Sequence, residues 1–183
     1  IDKMYDFVFS ENSLFIDEGR NLLITEFGKN YGTYFSILSE IANGHYTQGE
    51  IESALGGTAI GGYLSKLENV YNLITRERPI FAKPGTKKNV RYVIGDNFLN
   101  FWFKYIEQNR SYIELQNFDD LRQLAKADYP TYSGRVLEKY FKQKLAETGG
   151  FKEIGSWWET KSSIGKQRIN SYEIDIVALK SSG

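Results

Sequence analysis

A chain of 183 residues with 23 Lys and Arg against 23 Asp and Glu has no net field to draw it onto a polyanion, so local charge has to carry any nucleic-acid argument. It has no cysteine and a single histidine, His45, which excludes a disulfide framework and the usual cysteine or histidine zinc sites. Aromatic residues make up 15%, enough large rings for a substantial core, and no apolar run approaches the length of a membrane span, so a cytoplasmic protein with no membrane partner is expected.

Residues 1–28 carry Lys3 and Arg20 against six acids, Asp2, Asp6, Glu11, Asp17, Glu18 and Glu26. Ser13 is expected to cap a helix through Leu14, Phe15, Leu22, Leu23 and Phe27, ended by Gly28. The stretch reads as a connector to something upstream.

Residues 29–95 have a cleaner rhythm. Tyr31, Tyr34, Phe35, Leu38 and Ile41 follow helical spacing up to Asn43 and Gly44. Thr47 with Glu50 three positions on is a capping-box pattern that opens a second helix, stopped at Gly56 and Gly57. Thr58 is expected to cap a third helix carrying Ile60, Tyr63, Leu64, Leu67 and Tyr71. Extended segments over 73–78 and 89–94 flank a turn at Pro84 and Gly85. Three helices and a hairpin in this order predict a winged helix-turn-helix.

Residues 96–183 read as a helix-rich, truncated mixed α/β domain, so the fold class expected for the whole chain is α+β. Asp96 caps a helix whose Phe98, Phe101, Trp102, Tyr105 and Ile106 form a core stripe. A short helix over 118–126 is expected to end before Pro130, and Ser133 to open another through Val136, Leu137, Tyr140, Phe141 and Leu145. Strands are predicted over 151–158 and 172–179, with a polar loop between them.

Two constellations carry chemistry. On the third helix the exposed polar residues are Thr58, Ser65, Lys66, Glu68 and Asn69; between 76 and 91 lie Arg76, Arg78, Lys83, Lys87, Lys88 and Arg91 against the single acid Glu77. This local excess fits a recognition helix with a phosphate-contacting wing on duplex DNA. The same pattern also describes a hairpin kept soluble by its lysines, or a winged helix used for protein docking. The glycines from Gly56 to Gly62 imitate a phosphate loop, but Gly62 and Tyr63 stand where the lysine and hydroxyl belong, which leaves a helix-turn-helix turn. In the second constellation, Glu138 on a helix and Asp175 in a strand are carboxylates that a hard cation can bridge. The simpler alternatives are a Glu138–Lys142 surface pair and a strand-edge Asp175 facing a basic partner. His45 reads as a surface-loop residue.

Taken together, residues 34–44 (YFSILSEIANG), 60–74, 78–83, 89–106, 133–141, 155–158 (GSWW) and 173–178 (EIDIVA) resemble the C-terminal part of prokaryotic P-loop ATPases often called the archaeal ATPase family, in a form common in Bacteroidetes-like bacteria. The resemblance implies a tail of an upstream ATPase lid over 1–28, a winged helix over 29–95, and a helical connector with a partial PD-(D/E)XK nuclease-like domain over 96–183. It aligns Glu138 and Asp175 with the helix glutamate and first strand aspartate of that nuclease pattern, whose second acid and lysine would follow Gly183. The residues given are therefore expected neither to hydrolyse ATP nor to cut DNA and to hold no cofactor. ATP and Mg2+ are implied for the full-length protein, with its own ATPase domain and duplex DNA as partners.

Overall fold

The link from sequence to local structure is most direct at Thr47. In the computed structural model, which describes residues 2–83, 89–159, 163–164, 167–168 and 172–181, the Thr47 hydroxyl accepts from the Glu50 N–H at 3.3 Å and the Glu50 carboxylate accepts from the Thr47 N–H at 3.0 Å. This reciprocal pair satisfies two amide donors that the helix start would otherwise leave open.

The chain forms helices α1 (Asp2–Val8), α2 (Phe15–Phe27), α3 (Tyr31–Asn43), α4 (Gln48–Ala54) and α5 (Gly61–Asn69), then strands β1 (Ile74–Glu77) and β2 (Arg91–Ile94). Helices α6 (Asn97–Trp102), α7 (Arg110–Glu114) and α8 (Phe118–Thr148) follow, then strands β3 (Phe151–Trp158), β4 (Ser163–Ile164), β5 (Gln167–Arg168) and β6 (Glu173–Lys180). The strands pair in twos: β1 with β2, β3 with β6, and β4 with β5. The fold is mixed α+β with helix predominant. Among the described residues no helix is long and apolar enough to cross a membrane.

The chain divides into two compact units. The first comprises the described residues of Ile1–Arg76 and Tyr92–Pro130, the second those of Glu77–Arg91 and Thr131–Gly183.

The first unit is built on aromatic rings. Trp102, Tyr5, Tyr105, Phe9 and Phe103 are all essentially inaccessible, joined by Ile37, Leu38 and Ile41 of α3 and Leu64 and Leu67 of α5. Phe35 meets Trp102 and Phe103 edge-on at centroid distances of 5.9 and 5.3 Å. The Trp102 indole N–H donates to the Ile16 carbonyl at 3.1 Å. Gly19 of α2 is where this ring comes closest to a backbone. A Cβ there would stand 2.3 Å from Trp102 Cδ2, so α2 passes the indole only because residue 19 has no side chain.

Several local expectations need correcting. Asp96 does cap α6, accepting from the Leu99 N–H at 2.8 Å. The helical stripe that follows then widens into a π-helical turn over Phe103–Glu107, which shifts the phase and takes Phe103 into the core while Phe98 and Phe101 stay half-buried. Pro130 does not end a helix, since α8 runs through it; a proline deletes one donor from the ladder, and a helix with anchors on either side survives that loss. Leu121 and Ala125 are buried before Pro130. Thr58 does not cap α5, which starts later, at Gly61; its hydroxyl donates to the Leu55 carbonyl at 3.1 Å instead. Ser13 does not cap α2, and α1 forms where no helix was predicted.

In the second unit β3 and β6 are antiparallel, with Trp158 opposite Glu173 and Gly155 opposite Val177. The register shifts between Gly155 and Trp157, because Trp157 is opposite Ile174. Two β6 residues, Asp175 and Ile176, therefore stand across from the single residue Ser156, as in a bulge.

Candidate nucleic-acid interface and carboxylate site

The turn before α5 is set by its glycines. Gly56 and Gly57 have φ of +69° and +85°, values that disfavour any residue with a Cβ. Glu52 secures the other side of this turn: its carboxylate accepts from Gln48 Nε2 at 2.7 Å and from the Ile60 N–H at 3.2 Å. The Gln48 bond, then the Ile60 amide, hold its carboxyl below the usual glutamate range. Helix α5 buries Leu64 and Leu67 and turns Ser65, Lys66 and Asn69 to solvent, with Thr58 exposed just ahead of it. Asn69 Nδ2 donates to the Ser65 carbonyl at 2.9 Å. Four of the sequence-predicted contact residues are thus exposed on the first unit.

The predicted wing cations do not all face outward. Arg76 pairs with Glu68 of α5 at 2.6 Å and its guanidinium lies 5.6 Å from the centre of the Tyr92 ring. Arg78 and Lys83 are exposed, while Lys87 and Lys88, with the predicted turn at Pro84 and Gly85, lie outside the described residues.

The described residues of Glu77–Arg91 fall instead in the same unit as β3 and β6. The Ile80 N–H donates to the Ser156 carbonyl at 2.8 Å, and the Ile80 side chain, 3% exposed, packs over Gly155, where a Cβ would sit 3.6 Å from Ile80 Cβ. Arg91 grips Glu173 with a two-pronged fork, Nη1 to Oε1 and Nη2 to Oε2, the latter at 3.0 Å. Its guanidinium also stacks 4.2 Å above the ring of Trp158, which is buried. Of the two adjacent tryptophans, Trp158 is thus core and Trp157 half-buried.

The hydrogen bond from Arg91 is the main reason that the Glu173 carboxyl titrates below its ordinary value of 4.5; burial opposes the shift, and the charges of Arg91, Arg135 and Lys142 add to it. A carboxyl whose pKa is depressed by folding stabilises the protein above its unfolded pKa and loses that contribution as pH falls through the folded value. The Arg91–Glu173 contact is therefore expected to hold at neutral pH and to give way at pH values below the ordinary glutamate range. Acid titration followed through tryptophan emission tests this. A transition that is unchanged in Glu173→Gln would remove Glu173 from the acid response.

Glu138, the helix carboxylate, sits on α8. It accepts from the Lys142 ammonium and, at 3.1 Å, from the Ser156 hydroxyl, while Lys142 also donates to Ser156 Oγ. The predicted Glu138–Lys142 pair is present, and Ser156, 7% exposed, turns it into a helix-to-strand network. Asp175 is exposed on β6. The bulge breaks the simple alternation that would have set it among apolar neighbours, so it bears no burial cost. Among the described residues no group of three metal-capable side chains occurs, and Glu138 already bonds an ammonium. This donor set does not fit a divalent cation on its own. His45 Nδ1 lies 2.7 Å from the Glu40 carboxylate of α3.

Sequence reasoning named Lys142 through its spacing from Glu138 but missed Glu173, Trp158 and Ser156 as partners of the site. These depend on the register of β3 against β6.

A family model, DUF234, described as archaeal and bacterial proteins of unknown function, matches residues 102–183. An uncharacterized protein of Methanocaldococcus jannaschii is 38% identical over 156 residues, covering 80% of this chain and 32% of the relative. No solved structure matches. The chain is thus similar to an archaeal and bacterial family over its C-terminal part, and spans about a third of the length of the curated relative it matches.

Proposed function

We propose that this chain is the duplex-DNA-contacting region of a longer ATPase-type protein, with α5 as the element that meets the groove. The single observation that carries the reading is the exposure of Thr58, Ser65, Lys66 and Asn69 after the Gly56–Gly57 turn, at the third of the helices α3, α4 and α5, followed by a two-stranded β1–β2 sheet. That order of elements suits a winged helix, whose third helix enters the major groove. The share of the relative's length that the chain spans is compatible with an ATPase domain elsewhere in the full-length protein, where ATP and Mg2+ would bind.

Arg76 and Arg91 already pair with carboxylates, so in the first unit the phosphate-contacting role falls to Lys66, and Lys87 and Lys88 are tested separately. Binding of a fluorescent duplex, measured across salt concentrations, is expected to weaken as salt rises. Lys66→Ala is expected to lower the salt slope by about one unit, and Lys87→Ala with Lys88→Ala by about two. Absence of binding at low salt would sink the proposal.

A second reading, a protein-docking or regulatory module of the ATPase, is favoured by one observation. Leu137, Tyr140 and Phe141 lie on one stripe of α8 and are each about half exposed, at 51, 50 and 51%. For the metal-dependent nuclease of the full-length protein, further ligands would have to join Glu138 and Asp175, and a cation would have to displace Lys142.

A further inference from the structure

We propose that Glu173 is a built-in stand-in for a phosphate group on Arg91, so that the second unit holds one anion-binding guanidinium masked until an external phosphate oxyanion takes the place of the carboxylate. The inference deepens the DNA-contact reading and rests on it for the source of that phosphate.

Three features of the second unit support the exchange. A guanidinium donates two parallel N–H groups, and carboxylate and phosphate oxygens accept them in the same planar geometry, so the fork on Glu173 is already shaped for the other anion. The guanidinium is also held from behind, by the Trp158 ring 4.2 Å away, so its plane stays oriented when the partner in front changes. Finally, Glu173 would not be left without compensation. The charges of Arg135 and Lys142 act on it as well as that of Arg91, so the carboxylate that gives up Arg91 remains in a cationic neighbourhood.

The pair is also open enough to exchange. The Arg91 and Glu173 side chains are 24% and 43% exposed, so an incoming anion reaches the fork without opening the core. The Ile80 N–H bond to the Ser156 carbonyl involves no charge, so it persists while Arg91 changes partner. The device therefore sets affinity and does not depend on local unfolding.

The test uses the whole chain, with inorganic phosphate as the first probe and duplex DNA as the second. The readout for phosphate is the Trp158 indole N–H resonance, which reports the guanidinium stacked on its ring. Millimolar phosphate is expected to shift that resonance in a saturable way. Glu173→Gln, which removes the competing charge, is expected to saturate at about tenfold lower phosphate, a factor in the range of one charged hydrogen bond. The same variant is expected to bind duplex DNA more tightly, with a salt slope steeper by about one unit.

Arg91→Lys keeps the charge but loses the fork, and is expected to abolish the phosphate-dependent shift. Because this variant and the wild type are read by resonance position, the result stands even if Glu173→Gln folds poorly. No shift in the wild type, or identical phosphate curves for wild type and Glu173→Gln, overturns the proposal. A phosphate shift that Glu173→Gln sharpens, with no DNA binding by either protein, keeps the anion exchange, identifies free phosphate as the source, and rejects the DNA reading alone.

Discussion

Gly19→Ala is expected to lower the stability of the first unit by about 2–3 kcal/mol net, the result of severe overpacking. The added methyl carbon would lie 2.3 Å from Trp102 Cδ2 and 2.6 Å from Cγ and Cε2, well inside van der Waals contact. The ring has nowhere to go. It is 0% exposed, its N–H is fixed to the Ile16 carbonyl, and Phe35 and Phe103 flank it at 5.9 and 5.1 Å. Alanine gains about 1 kcal/mol over glycine in a helix interior, which offsets only part of the clash. For a chain of this size, a net loss of 2–3 kcal/mol corresponds to a fall in Tm of roughly 4–12 °C. Thermal unfolding followed by circular dichroism measures it. An unchanged midpoint would show that α2 slides away from the indole at little cost.

Lys142→Ala is expected to cost about 2 kcal/mol, several times the value of an ordinary helix-surface ion pair. The pair itself, i to i+4 on α8, would contribute only about 0.3–0.5 kcal/mol. The difference comes from Ser156. The residue is 7% exposed and its hydroxyl bonds both the ammonium and the Glu138 carboxylate, so deleting the lysine leaves an acceptor of a buried residue without its donor and a carboxylate without its charge partner. A double-mutant cycle with Ser156→Ala separates the two terms. Coupling near zero between Lys142 and Ser156 would reduce the network to a surface pair.

What could be read from the sequence depended on how local the cause was. The Thr47–Glu50 cap, the Asp96 cap and the glycine end of α3 at Gly44 each follow from residues within a few positions of one another, and each is present. The strand at 151–158 was legible from its own pattern and ends where expected. Pro130 misled because its local preference against helix was outweighed by anchors further along α8, including the Glu138–Lys142–Ser156 network. The site was less legible. Local charge found Arg76 and Arg91 but not their partners, since Glu173 is 82 positions from Arg91 and only the β3–β6 register brings it into range. The same register decided the setting of Asp175, where a one-residue shift replaced the alternation assumed from the sequence.

That the described residues of Glu77–Arg91 complete a unit whose remainder begins at Thr131 has a consequence for how the molecule is made. On the ribosome, the segment carrying Ile80 and Arg91 emerges before its seat exists. At about 5–20 residues per second, roughly 4–18 s pass before β6 has been synthesised. During that interval the apolar Ile80 and the Arg91 guanidinium are without the β3–β6 seat, available to chaperones, neighbouring nascent chains or nucleic acid. A single cut at residue 130 would strand them in the same way, so neither half obtained by simple truncation carries the complete second unit.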